Sequence, residues 1–208
     1  MNKLLEGSVE FRKNDFEQHK ELFRQISDKQ NPHTLFIGCS DSRLIPNLIT
    51  KSLPGELFIV RNVANIVPIY KETGDFLGIT SAIEYAVKVL NVENILVCGH
   101  SNCGGCAALY KTDDQLKHIP HTRKWLELAL PVKEKVIRLL PDQNDLEARE
   151  WLTEQMNIAE QIKHLLTYPY IEESYLNDSL KILGWHYIIE TGEIFSYNGE
   201  QGFFELIN

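Results

Sequence analysis

The sequence predicts an α/β fold, with a mainly parallel central sheet flanked by helices and an N-terminal helical arm. Three short apolar runs, TLFIGC, ELFIV and NILVCG, are bounded by Pro and Gly and have the continuous apolar character of buried strands. A stretch with helical periodicity separates the second run from the third. This alternation of strand and helix is typical of a parallel sheet, so we expect one α/β domain over residues 31–208.

Residues 1–30 precede the first strand and are polar and helix-prone. They also carry apolar side chains, which a lone helical arm cannot bury by itself. We therefore expect the arm to pack on the body of the protein or on another subunit. Its apolar side chains include Val9, Phe11, Phe16, Leu22, Phe23 and Ile26.

The first half of the domain is expected to contain three strands and two helices. The strands are predicted over 34–39, 56–60 and 94–99, where the apolar runs lie. A helix is predicted over 76–90, and the run CAALYK after the third strand begins another. The apolar residues at helical spacing in the first of these helices are Ile79, Ile83, Val87 and Leu90.

The second half is expected to be helical from 123 to about 168, in pieces separated by Pro131 and Pro141. After this region the sequence returns to β character, and WHYIIETGEIFSY predicts a hairpin around Thr191-Gly192. The longest helical piece carries one apolar stripe, formed by Leu152, Met156, Ala159, Ile162 and Leu166.

Composition and charge exclude some classes of function. A formal net charge of −8 argues against nucleic-acid binding, which needs clustered Lys and Arg. No apolar run approaches the length of a membrane span, and the first residues lack the apolar core of a signal peptide. These features predict a cytoplasmic protein with no membrane partner. Thiols stay reduced there, so we expect the four cysteines to be ligands or catalysts and not disulfides.

Two polar turns follow predicted strands and carry the residues expected to do chemistry. CSDSR ends the first strand, and CGHSNCGGC follows the third. Ligand sites in open parallel sheets lie outside the carboxyl ends of strands, so both turns are expected to face one crevice. Cys39, His100 and Cys103 would then offer two sulfurs and an imidazole, a set that suits zinc. Three protein ligands and one free position are typical of a catalytic zinc site.

Asp41 and Arg43 lie in the first turn beside the predicted ligand Cys39. Zinc makes bound water more acidic, and an ionised Asp41 could accept a hydrogen bond from that water and orient it. The same carboxylate could instead bind the zinc and close the site. The guanidinium of Arg43 could hold Asp41 in the orienting position through paired hydrogen bonds.

The two turns resemble the paired zinc motifs of the β-class carbonic anhydrases. PGELFIVRNVAN and AIEYAV, which lie between them, match that family in order and spacing, and the likeness extends from Gln30 to about Tyr110. The resemblance implies reversible hydration of CO2 to bicarbonate and a proton. It also implies one zinc per chain, bound by Cys39, His100 and Cys103.

The resemblance implies further roles and an assembly. Asp41 and Arg43 would form the catalytic dyad. The active site would lie at a dimer interface, in a homodimer or homotetramer whose N-terminal arms pack on partner subunits. The residues implied to contact substrate, as in the plant-like branch, are Gln30, Phe58, Val63, Tyr85, Gly104 and Gly105.

Three alternatives remain open from sequence. A carbon disulfide or carbonyl sulfide hydrolase would use the same zinc site, as some relatives in the family do. A zinc-dependent regulatory module would bind metal without turnover, although Asp41 and an open ligand position argue against it. A thioredoxin-like redox pair could be formed by Cys103 and Cys106, which are spaced as CxxC. We interpret Cys98 and Cys106 as packing residues.

Overall fold

The computed structural model describes residues 2–72, 74–142 and 144–207. Within these ranges six strands form one sheet. They are β1 (Thr34–Cys39), β2 (Leu57–Asn62), β3 (Asn94–His100), β4 (Lys181–Tyr187), β5 (Ile194–Asn198) and β6 (Phe203–Leu206). The order across the sheet is β2-β1-β3-β4-β5-β6. The pairings among β1 to β4 are parallel, and those of β5 and β6 are antiparallel, which confirms the predicted mainly parallel sheet.

Helices flank the sheet and form the N-terminal arm. The arm contains α1 (Asn2–Lys13), α2 (Asp15–Gln18) and α3 (Lys20–Gln25). The body contains α4 (Pro46–Thr50), α5 (Leu77–Lys88), α6 (Gly104–Ala108), α7 (Asp113–Leu116), α8 (Pro120–Leu126), α9 (Leu130–Leu139), α10 (Leu146–Leu165) and α11 (Pro169–Leu176), with short 3₁₀ turns at Val63–Asn65 and Glu127–Ala129.

The predicted elements lie close to where the sequence placed them. β1 coincides with the predicted strand, while β2 and β3 extend to Asn62 and His100. The predicted hairpin is confirmed by the antiparallel pairing of β4 with β5. Its turn includes Gly192, whose φ of +81° favours a residue without a Cβ. Pro131 lies in the first turn of α9, and the helix ends just before Pro141, as expected.

The neighbouring strands β1 and β3 are followed by connections that run in opposite directions across the sheet, from β1 to β2 on one side and from β3 to β4 on the other. This is a topological switch point, and such points create a crevice at the carboxyl ends of the two diverging strands. Cys39 is the last residue of β1 and His100 is the last residue of β3. The predicted crevice is therefore where the fold places these two side chains.

Helix α10 packs closely on β3 and β4 over two glycines. A Cβ on Gly99 would lie 2.8 Å from Cδ1 of Ile158, and a Cβ on Gly184 would lie 2.9 Å from Cγ2 of the same residue. Larger residues at either position would push α10 away from the sheet. These glycines therefore set the distance between the helix and the strand that carries His100.

The buried face of α10 differs from the predicted apolar stripe. That stripe is only partly buried, and the buried positions are five polar residues in addition to Ile158 and Leu165. Their side chains are hydrogen-bonded, four of them to backbone groups of other segments, which compensates for their burial. For example, Asn157 donates to the carbonyl of Ala64 at 2.8 Å and Gln161 accepts from the amide of Val67 at 2.8 Å.

The arm is helical as predicted, and none of its three helices has a buried residue. Three of its phenylalanine rings pack on one another, with centroids 5.2 to 6.4 Å apart: Phe11, Phe16 and Phe23. Leu4 and Leu5 remain 83% and 61% exposed. No helix within the described ranges has both the length and the apolar character needed to cross a membrane.

Candidate metal centre

Cys39, His100 and Cys103 converge at the switch point of the sheet. One ligand atom from each residue lies within 4.8 Å of the others, and the two sulfurs are 3.9 Å apart. The three side chains are at most 6% exposed. The structure therefore brings together the donor set that was predicted from two distant turns.

The imidazole of His100 is oriented as a metal ligand would be. Its Nδ1 lies 2.9 Å from the carbonyl oxygen of Ser101, which can only accept, so Nδ1 carries the proton. The other nitrogen, Nε2, is buried and has no hydrogen-bond partner within the described residues. A buried lone pair without a partner is costly. A metal ion bound to this nitrogen and to the two sulfurs would satisfy it, and two thiolates with one imidazole suit zinc.

The pKa values of both thiols are raised in the metal-free protein. The hydrogen bond with Cys103, followed by burial, raises the pKa of Cys39 to about 12. The pKa of Cys103 is raised too, chiefly by a hydrogen bond with Cys106. A divalent cation would counter these effects, since a coordinating thiol is deprotonated outright. Without a cation, the raised pKa values keep both thiols neutral.

Asp41 and Arg43 lie at the mouth of this cluster. Asp41 Oδ1 accepts from Arg43 Nε at 2.9 Å and from its backbone amide at 2.9 Å, while Oδ2 accepts from Nη2 at 2.7 Å. The Arg43 side chain thereby holds the pKa of Asp41 well below its usual range. Oδ2 also lies 3.9 Å from Nε2 of His100. An ionised carboxylate thus faces the position that the ligand atoms surround.

Arg61 of β2 fixes the backbone that carries these residues, a role that sequence reasoning missed. Its Nε donates to the carbonyl of Cys39 at 3.0 Å. Its Nη2 donates to the carbonyls of Asp41 at 2.6 Å and Leu44 at 2.8 Å. Three carbonyls of one turn therefore share a single guanidinium, which restrains the turn between β1 and α4.

Glu154 of α10 contacts the other turn and was also missed. Its Oε1 accepts from the backbone amide of Cys103 at 2.8 Å, and its Oε2 lies 3.1 Å from Nε2 of His186. Both side chains are almost fully buried, at 3% and 0% exposed. The only sequence signal was a polar stripe at helical spacing along α10, beside the more obvious apolar stripe. The polar stripe consists of Glu154, Asn157, Gln161 and His164.

Three of the predicted substrate-contact residues lie near the candidate metal centre. Gly104 and Gly105 directly follow Cys103 and begin α6. A Cβ on Gly105 would lie 3.0 Å from Cγ1 of Val63, so the 3₁₀ turn after β2 contacts the start of α6. Val63 is 38% exposed, and its side chain is thus available at this edge of the crevice.

Phe58 and Tyr85 lie together, but not beside the ligands of their own chain. Their ring centroids are 6.0 Å apart. Phe58 is paired with Leu35, whereas Cys39 is paired with Asn62. Phe58 and Asn62, the partner of Cys39, are four residues apart along β2, a distance of about 13 Å. Gln30 lies exposed in the segment before β1.

All four cysteines are free and buried. Cys98 lies within β3, and its thiol contacts the carbonyl of Gly99 at 3.6 Å. Cys106 lies in α6, is 2% exposed and packs in the core cluster that contains Cys39 and Cys103. Their burial is consistent with the packing roles expected from sequence.

Comparisons with known proteins agree with this geometry. A family model described as carbonic anhydrase matches residues 34–194. A carbonic anhydrase of Helicobacter pylori is 42% identical over 203 residues, which cover 97% of this chain and 92% of the relative. The solved β-carbonic anhydrase CcaA superposes with a TM-score of 0.92 at 38% identity and covers 100% of this chain and 99% of its own. Tetrameric β-carbonic anhydrases of Sordaria macrospora give a TM-score of 0.79 at 30% identity, covering 94% and 95%.

Proposed function

Because this chain belongs to the β-class carbonic anhydrases, which interconvert CO2 and bicarbonate, we propose that it does so with one zinc ion held by Cys39, His100 and Cys103. The observation that carries the proposal is the convergence of three buried donor atoms within 4.8 Å, with Nε2 of His100 unpartnered among the described residues. Two sulfurs and an imidazole are a common donor set for zinc, and a fourth position free of protein is typical of catalytic sites.

The ion would supply one property that the side chains lack. When bound, zinc lowers the pKa of water and so makes a strong nucleophile available near neutral or alkaline pH. Two thiolates and a neutral imidazole from Cys39, Cys103 and His100 would balance its charge, which makes it a weaker acid than zinc held by three imidazoles. Hydration forms one bond between the water oxygen and the carbon of CO2, opens one C=O π bond, and breaks one O–H bond of the water, whose proton leaves to buffer.

Asp41 and Arg43 would orient the reacting water. In this proposal the Asp41 carboxylate accepts a hydrogen bond from that water and so directs a lone pair toward the carbon of CO2. Arg43 keeps both carboxylate oxygens engaged, at 2.9 and 2.7 Å, which holds Asp41 in the orienting role. Released from Arg43, the carboxylate could turn toward the ligand atoms, since Oδ2 is only 3.9 Å from Nε2 of His100.

The substrate pocket is proposed to form between two copies of the chain. Val63, Gly104 and Gly105 would contribute from the subunit that holds the metal. Phe58 lies about 13 Å along β2 from the register of Cys39, and the Tyr85 ring packs beside it, so both would line the partner's pocket more readily than their own. Gln30, exposed before β1, is proposed to contact substrate in the same way.

Exposed apolar surface supports this self-association. β2 lies at the edge of the sheet, where an unpaired strand is open to a partner. The arm over residues 1–30 has no buried residue in its helices, and we propose that it packs on the partner subunit. The solved relatives of Sordaria macrospora are tetramers, which makes a homodimer or homotetramer the expected state here. The exposed apolar residues along and beside β2 include Ile59, Val63, Tyr85 and Val89.

The test measures zinc and turnover in the same preparations. The purified protein should contain close to one zinc per chain and should hydrate CO2 rapidly in a stopped-flow assay. Removal of the metal with a chelator, or the substitution Cys39→Ser, should abolish turnover and lower zinc content. Cys98→Ala is the matched control, because Cys98 is another buried strand cysteine outside the ligand cluster.

Undiminished CO2 hydration activity in the metal-free protein, or unchanged activity in Cys39→Ser, would refute the proposal. Parallel assays with carbon disulfide and carbonyl sulfide distinguish the hydrolase alternative, which predicts that these substrates are turned over in preference to CO2. Zinc binding without any turnover would favour a regulatory module.

A further inference from the structure

The peptide bond between Asn102 and Cys103 is hydrogen-bonded at both ends by side chains. Its carbonyl accepts from Nη2 of Arg43 at 3.2 Å, and its N–H donates to Oε1 of Glu154 at 2.8 Å. The C=O and N–H of a trans peptide point in opposite directions. The guanidinium of Arg43 and the carboxylate of Glu154 therefore hold this peptide group from opposite sides.

The local backbone makes such support useful. Asn102 has a φ of +55°, in the left-handed region that non-glycine residues enter at a cost, although Asn tolerates it better than most. Cys103 follows in an extended conformation and immediately precedes α6. The orientation of the peptide between them sets the direction in which the Cys103 side chain leaves the backbone. A rotation of this peptide would move a candidate metal ligand.

Glu154 is itself held rigidly. Its second oxygen lies 3.1 Å from Nε2 of His186, which must be the protonated nitrogen because a carboxylate only accepts. The His186 ring is fully buried and packs edge-on against Trp151, with centroids 4.8 Å apart. In β4, His186 is paired with Gly99, the residue before His100. The carboxylate is thus fixed from both the helix and the sheet.

We propose that Glu154 is a positioning residue that holds the Asn102–Cys103 peptide, so that Cys103 faces the metal and the Asn102 carbonyl faces Arg43. Through that carbonyl it also supports the guanidinium that restrains Asp41. The retention of zinc and the orientation of the dyad would then depend on one carboxylate of α10. This inference rests on the proposed zinc site.

Substitutions of Glu154 test the role by the rate at which zinc leaves the protein. Glu154→Leu leaves the Cys103 amide buried without an acceptor, whereas Glu154→Gln keeps an oxygen there but loses the charge. Thr153→Val is the matched control, because Thr153 is the neighbouring buried residue of α10 and bonds to Tyr110 at 2.7 Å and to the carbonyl of Arg149 at 2.6 Å. It removes buried hydrogen bonds without touching the ligand turn.

Zinc release is followed with a colorimetric chelator on folded, zinc-loaded protein, and hydration is measured per bound zinc. Glu154→Leu should release zinc about 10- to 100-fold faster, because the loss of a residue that supports a metal ligand typically lowers metal affinity by this factor. Glu154→Gln should fall between Glu154→Leu and wild type, and Thr153→Val should match wild type. Hydration per zinc should fall in the same order, because Arg43 loses its support as the peptide rotates.

Two results would overturn the positioning role: release from Glu154→Leu as slow as from wild type, or release from Thr153→Val as fast as from Glu154→Leu. If Glu154→Leu does not fold, the test depends on Glu154→Gln. Zinc release from Glu154→Gln as slow as from wild type would then count against the positioning role. Failure of the zinc site itself is distinguishable, since wild-type protein would then bind no zinc or show no hydration.

Discussion

Arg43 engages both carboxylate oxygens of Asp41, with Nε 2.9 Å from Oδ1 and Nη2 2.7 Å from Oδ2. The same Oδ2 lies 3.9 Å from Nε2 of the candidate ligand His100. A carboxylate so close to a metal position has two possible partners, the guanidinium and the ion. In the structure the paired hydrogen bonds engage it with the first, and in our proposal they keep it from the second.

Arg43→Ala should therefore let Asp41 become a fourth zinc ligand. We expect hydration to fall by about 100-fold or more, since small displacements of a catalytic group can cost this much. Zinc X-ray absorption should show an additional oxygen donor from the protein, and zinc content should not fall. Arg43→Lys is the control that keeps the charge without the paired geometry, and it should restore little activity. An open and fully active site in Arg43→Ala would contradict the restraint role.

Cys106→Ser separates the zinc enzyme from the redox alternative. Cys106 is buried beside Cys103 and lies outside the group of candidate ligands. Serine keeps a hydrogen-bonding group at this position, so zinc content and hydration should remain close to wild type. A thioredoxin-like pair would instead need both thiols, and its thiol–disulfide exchange would be abolished. If the wild type catalysed thiol–disulfide exchange, and Cys106→Ser lost it while hydrating CO2 at the wild-type rate, the protein would have two separate activities. That result would contradict our interpretation of Cys106 as a packing residue.

Sequence patterns predicted the strands and the two ligand turns because each depends on local information. β1, for instance, ends at the predicted Cys39, and buried parallel strands read as continuous apolar runs. The convergence of Cys39 with His100 followed from one general rule about strand ends. Both inferences needed only the order of elements along the chain.

The supporting residues could not be predicted in this way. Glu154 contacts Cys103 across 51 residues, and a charged residue on a helix is usually solvated, so its burial depends on how α10 packs over Gly99 and Gly184. Arg61 likewise serves three carbonyls whose positions are fixed only once β1 and β2 pair. Tertiary packing decides these contacts, and the polar stripe of α10 does not indicate which groups Glu154 would contact.

The arm offers a test of self-association. Leu5 is 61% exposed on α1, and a partner subunit would bury it if the arm packs as proposed. Leu5→Glu should then weaken the oligomer, shifting the sedimentation velocity profile toward smaller species at low protein concentration. Ser8→Glu is the matched control, since it adds the same charge at an exposed polar position of the same helix. An unchanged profile for Leu5→Glu would show that the arm is not part of the interface.

The two glycines that begin α6 provide the sharpest test of packing around the candidate metal centre. A Cβ on Gly105 would lie 2.7 Å from Cβ and 3.2 Å from the backbone nitrogen of Ala64, whereas a Cβ on Gly104 meets nothing within 4 Å. Ala64 cannot move easily, because its φ of +62° is already unusual and its carbonyl is held by Asn157 at 2.8 Å.

Gly105→Ala should therefore destabilise the fold by about 1–3 kcal/mol, the typical cost of overpacking. Gly104→Ala should leave stability unchanged or slightly raise it, since alanine favours a helix over glycine. Urea unfolding of the two variants measures this difference in free energy directly. Because the strain in Gly105→Ala pushes the 3₁₀ turn at Val63–Asn65 away from Cys103, zinc should also leave that variant faster. Equal stability of the two alanine variants would mean that the turn adjusts freely and that the close contact between Gly105 and Ala64 does not support the ligand turn.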